Sequence, residues 1–180
     1  MKTLNIEGTD IYMEDIEDGR GKITISDSWR GAYTHFWGAM GSNISKFLCD
    51  INADYFADKL CTNTYKFSGK KSVKNVRKYI REEMSYDLPW YEFMSAQKEL
   101  RKKLKAMESC SSANEFVDRM SNLHNELYCL DLSYDEEKEF LDIIKSHFAC
   151  EPWNFIQEEV SNEYVWLCNI HKKLKVKLNA

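Results

Sequence analysis

The chain predicts an α+β fold, with an N-terminal antiparallel β-meander of 3–4 strands followed by a mainly α-helical bundle of 5–7 helices. Three observations predict it. Period-two alternation of apolar residues is confined to about the first 37 residues. Six of the 7 glycines fall before residue 42 and the chain holds only 2 prolines, so a long remainder is poor in helix breakers. From Ser72 onward apolar residues recur every three or four positions, the period of an amphipathic helix. Strands first and helices after is the order of α+β architecture, not of alternating α/β. At 180 residues the chain suits a single domain. Any sub-division falls near 62–72, separating a sheet with short helices (1–61) from a helical remainder (73–180).

In chain order, residues 2–6 and 10–15 are short and alternating, with Glu7-Gly8-Thr9 as the turn between them. Residues 22–26 place Ile23 and Ile25 on one face, and Asp18-Gly19 ahead of them is a hairpin signal. Residues 32–37 put Tyr33, His35 and Trp37 on one side. Gly38-Ala39-Met40-Gly41 then lets the chain leave the sheet. Ser42 or Asn43 caps a helix through Cys49, and Asn52 or Asp50 caps one from Ala53 to Cys61. Thr62 to Gly69 is ambiguous: Asn63, Thr64 and Ser68 favour a loop, while Tyr65 to Phe67 suit an edge strand.

The helical remainder opens with Val73, Val76, Ile80 and Met84 on one face. Pro89 suits a first helical turn, from which a helix runs to about Met107. Ser112 with Glu115 and Ser133 with Glu136 are capping-box signatures, opening helices over about 113–130 and 134–149. Pro152 restarts a short helix, Trp153 to Val160, and Asn162 caps the last one.

Composition excludes several classes. Hydrophobic residues make up 43% and charged residues 30%, which is ordinary globular usage. The net charge of −4 gives no global basic field. Charge is unevenly spread, however. Glu14, Asp15, Glu17 and Asp18 form an acidic knot. Lys70, Lys71, Lys74, Arg77, Lys78 and Arg81 form a basic run, Lys98 to Lys105 holds another, and the tail carries Lys172, Lys173, Lys175 and Lys177. The six cysteines lie at least 12 residues apart, which rules out zinc-knuckle spacing. No secretory leader and no membrane span is evident, so mostly buried, reduced thiols in a cytoplasmic protein are expected.

No catalytic, cofactor or metal motif stands out. His35, His124, His147 and His171 make no H-E-x-x-H pair, and His171 falls on the apolar side of its helix, as a hydrogen-bonded core residue does. The Gly38–Gly41 corner lacks the lysine of a P-loop. Two kinds of binding surface are better motivated. One uses Trp29, Arg30, Tyr33 and Trp37 as partner-binding anchors, with Glu14, Asp15, Glu17 and Asp18 steering or imitating a nucleic-acid backbone. The alternative is nucleic-acid binding by Lys70, Lys71, Lys74, Arg77, Lys78 and Arg81 together with the lysine-rich tail.

The stretch Trp29-Arg30-Gly31-Ala32-Tyr33-Thr34-His35-Phe36-Trp37-Gly38-Ala39-Met40-Gly41, continuing into Phe47-Leu48, resembles small proteins encoded by phages and prophages. Small phage proteins of this kind are often similar to inhibitors of bacterial defence systems, anti-CRISPR proteins among them. The resemblance implies a host-cell cytoplasmic setting, while the missing catalytic motifs and the acidic hairpin lead to the expectation of a protein partner such as a host nuclease or defence complex. It supplies no site residues. The expectation is a non-enzymatic interaction module acting by surface occupation or nucleic-acid mimicry, without cofactor or membrane, and with self-association open.

Overall fold

The computed structural model describes residues 1–86, 93–127 and 130–180. In chain order the elements are β1 (Lys2–Ile6), β2 (Thr9–Glu17), β3 (Arg20–Asp27), β4 (Gly31–Trp37), α1 (Ile44–Asp50), α2 (Ala53–Leu60), β5 (Tyr65–Phe67) and α3 (Gly69–Glu82). They continue with α4 (Met94–Met107), α5 (Ala113–Ser121), α6 (Leu123–Glu126), α7 (Tyr134–Phe148), β6 (Glu158–Val160) and α8 (Asn162–Leu178). Short 3-10 turns occupy Met84–Tyr86 and Pro152–Phe155. The expected sheet-then-helices architecture is present. The chain divides into two compact units: Met1–Thr64 with Val160–Ala180, and Tyr65–Glu159. Residues 160–180, which sequence pattern groups with the helical remainder, therefore return to the first unit.

In the first unit β1–β4 form an antiparallel sheet in sequence order. The positive φ of Gly19 closes the β2–β3 hairpin at Asp18-Gly19, as a tight turn requires. Register places Ile11 opposite Ile25, Met13 opposite Ile23, and then Ile23 and Ile25 opposite His35 and Tyr33. One face of the sheet is thereby apolar. The core on that face holds Ile11, Met13, Ile23, Ile25, Leu48, Phe56, Leu167 and Leu174. α1 and α2 both pack against α8. Asn43 and Asn52 cap α1 and α2 by accepting from the N–H groups of Lys46 and Tyr55. α8 is capped by Ser161, one residue before the expected Asn162. It also satisfies carbonyls at the end of α1: His171 Nε2–H donates to Leu48 O at 2.9 Å, and Lys175 Nζ to Ile51 O at 3.1 Å.

In the second unit the core includes Val73, Val76, Met84, Phe93, Leu100, Leu104, Phe116, Phe140 and Phe148. Gly69 opens α3 where the chain passes close to another segment. A Cβ there would lie 2.8 Å from Glu108 O and 3.0 Å from Met107 O, so only glycine fits. Ser133 and Glu136 form a full reciprocal capping box at α7. Ser112 caps α5, but Glu115 accepts from Ser111 N–H and Oγ–H, so the box expected there is only half made.

Two further expectations change. The helix over 113–130 breaks at Asn122 into α5 and α6. Glu158–Val160 is a strand, not the end of a helix from Trp153. It pairs with Tyr65–Phe67, and Ser68 N–H donates to Gln157 O at 2.9 Å. A strand partner supplied from far along the chain overrides the helix propensity of Gln157-Glu158-Glu159. The expectations at Pro89, Tyr128 and Cys129 fall outside the described residues.

Candidate functional site

Two amphipathic helices of the second unit carry the largest charge imbalance in the chain. α3 turns Val73 and Val76 inward and leaves Lys70, Lys71, Lys74, Arg77, Lys78 and Arg81 exposed. α4 buries Ala96, Leu100, Leu104 and Met107 and exposes Lys98, Arg101, Lys102 and Lys105. α3 holds six cations and one carboxylate, α4 five cations and one carboxylate, so the pair carries a net +9 in a chain of net −4. Some of this charge is paired: Arg77 with Glu108 at 2.9 Å, Lys78 with Glu82 at 3.7 Å, and Lys102 with Glu99 at 3.3 Å. Lys70, Lys74, Arg81 and Lys105 have no ion-pair partner among the described residues.

Between these helices runs an open cavity of about 600 Å³. Its apolar lining is Ile80, Leu100 and Leu104. Its polar lining is Arg77 and Arg81 from α3, Arg101 and Lys105 from α4, with Ser85 and Gln97; no carboxylate is among the described lining residues. Arg101 is steadied by a hydrogen bond to Gln97 Oε1 at 3.3 Å. A second concavity of about 460 Å³ shares Arg81 and adds Lys71, Lys74 and Lys78. Arg101, Lys105, Ile80, Leu100 and Leu104 are not in the sequence-based site. The signal that could have found them is the pair Arg101/Lys105, which repeats the four-residue step of Arg77/Arg81.

The tail lysines do not form a comparable surface. Lys173 pairs with Glu7. Lys175 donates to Ile51 O at 3.1 Å and Lys177 to Asn5 O at 2.7 Å. They fasten α8 within the first unit. Of the tail lysines, Lys172 is exposed and without a hydrogen-bond or ion-pair partner among the described residues.

The acidic knot is largely consumed as well. Asp15 shares the inward face with Met13 and accepts from Ile44 N–H at 2.6 Å, holding the start of α1. Glu14 pairs with Lys22 at 3.6 Å and Glu17 with Arg20 at 2.9 Å. Only Asp18 stands exposed with no partner among the described residues.

The aromatic anchors divide. Trp37 is only 5% exposed and packs on Phe47 at 5.3 Å between ring centroids, so it cannot reach a partner. Trp29 is 94% exposed at the tip of the β3–β4 hairpin. Its turn is held by Asp27, whose carboxylate accepts from the N–H groups of Trp29 and Arg30 at 3.0 Å and from Thr9 Oγ at 2.9 Å. The Thr9 hydroxyl, then the Trp29 N–H, hold this carboxyl below its ordinary value. Arg30 lies 5.1 Å over the ring of Trp166, and half-buried Tyr33 packs on the same ring at 5.4 Å. Trp166, missed in the sequence, completes this cluster; nothing local in α8 signals it.

A third place brings a histidine, a cysteine and carboxylates together. Tyr79, His147, Cys150 and Glu151 share an open cavity of about 510 Å³. His147 Nδ1 is hydrogen-bonded to Tyr79 Oη at 2.9 Å. Cys150 is exposed and its sulfur has no hydrogen-bond partner among the described residues. Among the described residues no cluster of three or more His, Cys, Asp or Glu could hold a metal ion. The five described cysteines are unpaired, and only Cys110 is buried, fewer than expected. No described helix is long and apolar enough to cross a membrane.

The family model Phage_phiTE_072, described as a phage family, matches residues 1–180. No curated protein and no solved structure gave a match.

Proposed function

This chain belongs to the phage family Phage_phiTE_072, and from that premise we propose that it is a non-enzymatic nucleic-acid-binding protein whose contact surface is the α3–α4 face. One observation carries the reading: a net +9 on two adjoining helices of a chain whose net charge is −4. A solvated helix face usually intersperses both signs, which limits self-repulsion. Here cations outnumber carboxylates on both helices, and four of them, Arg77, Arg81, Arg101 and Lys105, rim one concavity. Such a surface gains affinity for a polyanion by releasing condensed counterions from it. In this reading the protein acts in the host cytoplasm, and covering nucleic acid withholds it from a host defence nuclease.

Titration of labelled duplex and single-stranded DNA at two salt concentrations tests the proposal. Binding should weaken steeply with salt. Lys74→Glu, Lys78→Glu and Arg81→Glu together should lower affinity by at least about tenfold and flatten the salt slope by roughly 2–3. Absence of binding at about 50 mM salt, or binding indifferent to these reversals, defeats the reading.

A second reading rests on Trp29. An indole 94% exposed on a turn fixed by three hydrogen bonds to Asp27 is an interface anchor presented in advance. In this reading the Trp29–Arg30 tip occupies a protein surface of a host defence complex. Capture of the same host protein by wild type and by Trp29→Ala would speak against it.

A further inference from the structure

We propose that the α3–α4 groove is a site for single-stranded nucleic acid, in which an unstacked base enters the aliphatic cavity while phosphates lie on the flanking cations. The inference rests on the nucleic-acid reading above and specifies its ligand.

Charge alone does not distinguish a duplex from a single strand, since both present phosphates. The shape and chemistry of the groove do. A surface serving only phosphates needs no recess, yet this one holds a cavity of about 600 Å³ whose accessible apolar contact is half-buried Ile80, with core residues Leu100 and Leu104 also in its lining. Bases in a duplex are stacked and paired, and cannot be inserted into a recess without first being extruded. Bases of a single strand are free to enter it. An aliphatic contact accepts the flat face of any base, and the guanidinium planes of Arg81 and Arg101 at the rim can stack on it.

The cations are placed for the strand on either side of that base. Arg77 and Arg81 stand one helical turn apart on α3, and Arg101 and Lys105 one turn apart on α4, so both walls present charge to the same cavity. Beyond Arg81 the adjoining concavity adds Lys78, Lys74 and Lys71, with Glu82, paired to Lys78, as the one carboxylate among its described lining residues. From Lys71 to Arg81 the track runs about 15 Å along α3, enough for a few extended nucleotides. That continuation favours a chain of phosphates over a compact anion. The contacts are to backbone charge and to a base face, not to base edges, so binding should tolerate many sequences.

The test uses the full chain and three labelled probes of equal length at one salt concentration: oligothymidylate, a mixed-sequence duplex, and an abasic oligodeoxyribose phosphate. Oligothymidylate should bind at least about tenfold more tightly than the other two, the order of effect seen for one base–protein stack. Ile80→Ser, which leaves every charge in place at a half-buried position, should remove most of that advantage. Abasic probe binding as tightly as oligothymidylate overturns the inference through the ligand alone, whatever Ile80→Ser does to folding. So does a duplex bound as tightly as the single strand, although either result leaves the broader nucleic-acid reading standing. Displacement of the strand by thymidine monophosphate at comparable affinity, or by an acidic amphipathic helical peptide, also overturns it, in favour of a small nucleotide or a protein helix. Failure to bind any of the three probes removes both proposals.

Discussion

His171 should make the first unit sensitive to mild acid. The side chain is 1% exposed, stacks on Phe56 at 4.6 Å between ring centroids, and donates Nε2–H to Leu48 O at 2.9 Å. A carbonyl only accepts, so the neutral ring carries its proton on Nε2, and Nδ1 has no hydrogen-bond partner among the described residues. Protonating Nδ1 would place a charge in an apolar interior. Burial is the main cause that holds the imidazole below its ordinary value, and Lys175 pushes the same way, together outweighing the Leu48 bond. In the unfolded chain the ring titrates near its usual value of about 6.5. Below that pH the unfolded state binds a proton that the folded state refuses, so stability falls as pH falls, by up to about 1.4 kcal/mol per unit. Between about pH 6.5 and 5 the loss reaches at most about 2 kcal/mol, ending where the folded ring itself takes up the proton. Urea unfolding of wild type and His171→Gln at several pH values measures it. Glutamine can still donate to Leu48 O but cannot titrate, so its stability should fall less on acidification by that amount. A His171 Hε1 resonance that titrates at or above pH 6.5, or equal pH slopes in the two proteins, would refute the reasoning.

Three further outcomes are expected. Gly69→Ala forces a methyl group against two backbone carbonyls that cannot swing aside, and should cost about 1–3 kcal/mol in the second unit, measured by denaturant unfolding; an unchanged midpoint would contradict the close approach. Ser133→Ala removes the hydroxyl that accepts from Glu136 N–H at the head of α7 and should cost about 1 kcal/mol, with faster amide exchange in the first turn of that helix. Trp29→Ala should leave thermal stability within about 0.5 kcal/mol, because the ring is 94% exposed; a larger loss would mean that the indole is part of the packing.

What could be read in the sequence was local. Ile23 and Ile25 alternate within one strand, Asp18-Gly19 carries its own turn chemistry, and Asn43, Asn52 and Ser133 cap helices that begin at the next residue. What could not be read depended on distant partners. Tyr33, His35 and Trp37 share a side, as their alternation indicates, but which side faces inward is decided by their pairing with Ile25, Ile23 and Gly21. Asp15 looks like one member of an acidic run until the chain returns 29 residues later and offers it the N–H of Ile44. The candidate site shows the same division. Both basic runs are plain in the sequence, whereas the cavity between them exists only once α3 and α4 lie side by side.

The division of the chain also sets an order of events on the ribosome. The 95 residues from Tyr65 to Glu159 are translated after the meander and before the closing helix. At ordinary elongation rates that interval lasts about 5–20 seconds. Throughout it the nascent meander lacks Leu167, Ile170 and Leu174, and its oily side has nothing from α8 to cover it. The inserted segment, by contrast, contains its own core and can mature while the rest waits. A premature stop near residue 160 would therefore spare the basic groove and strand the sheet as a sticky, protease-sensitive remnant.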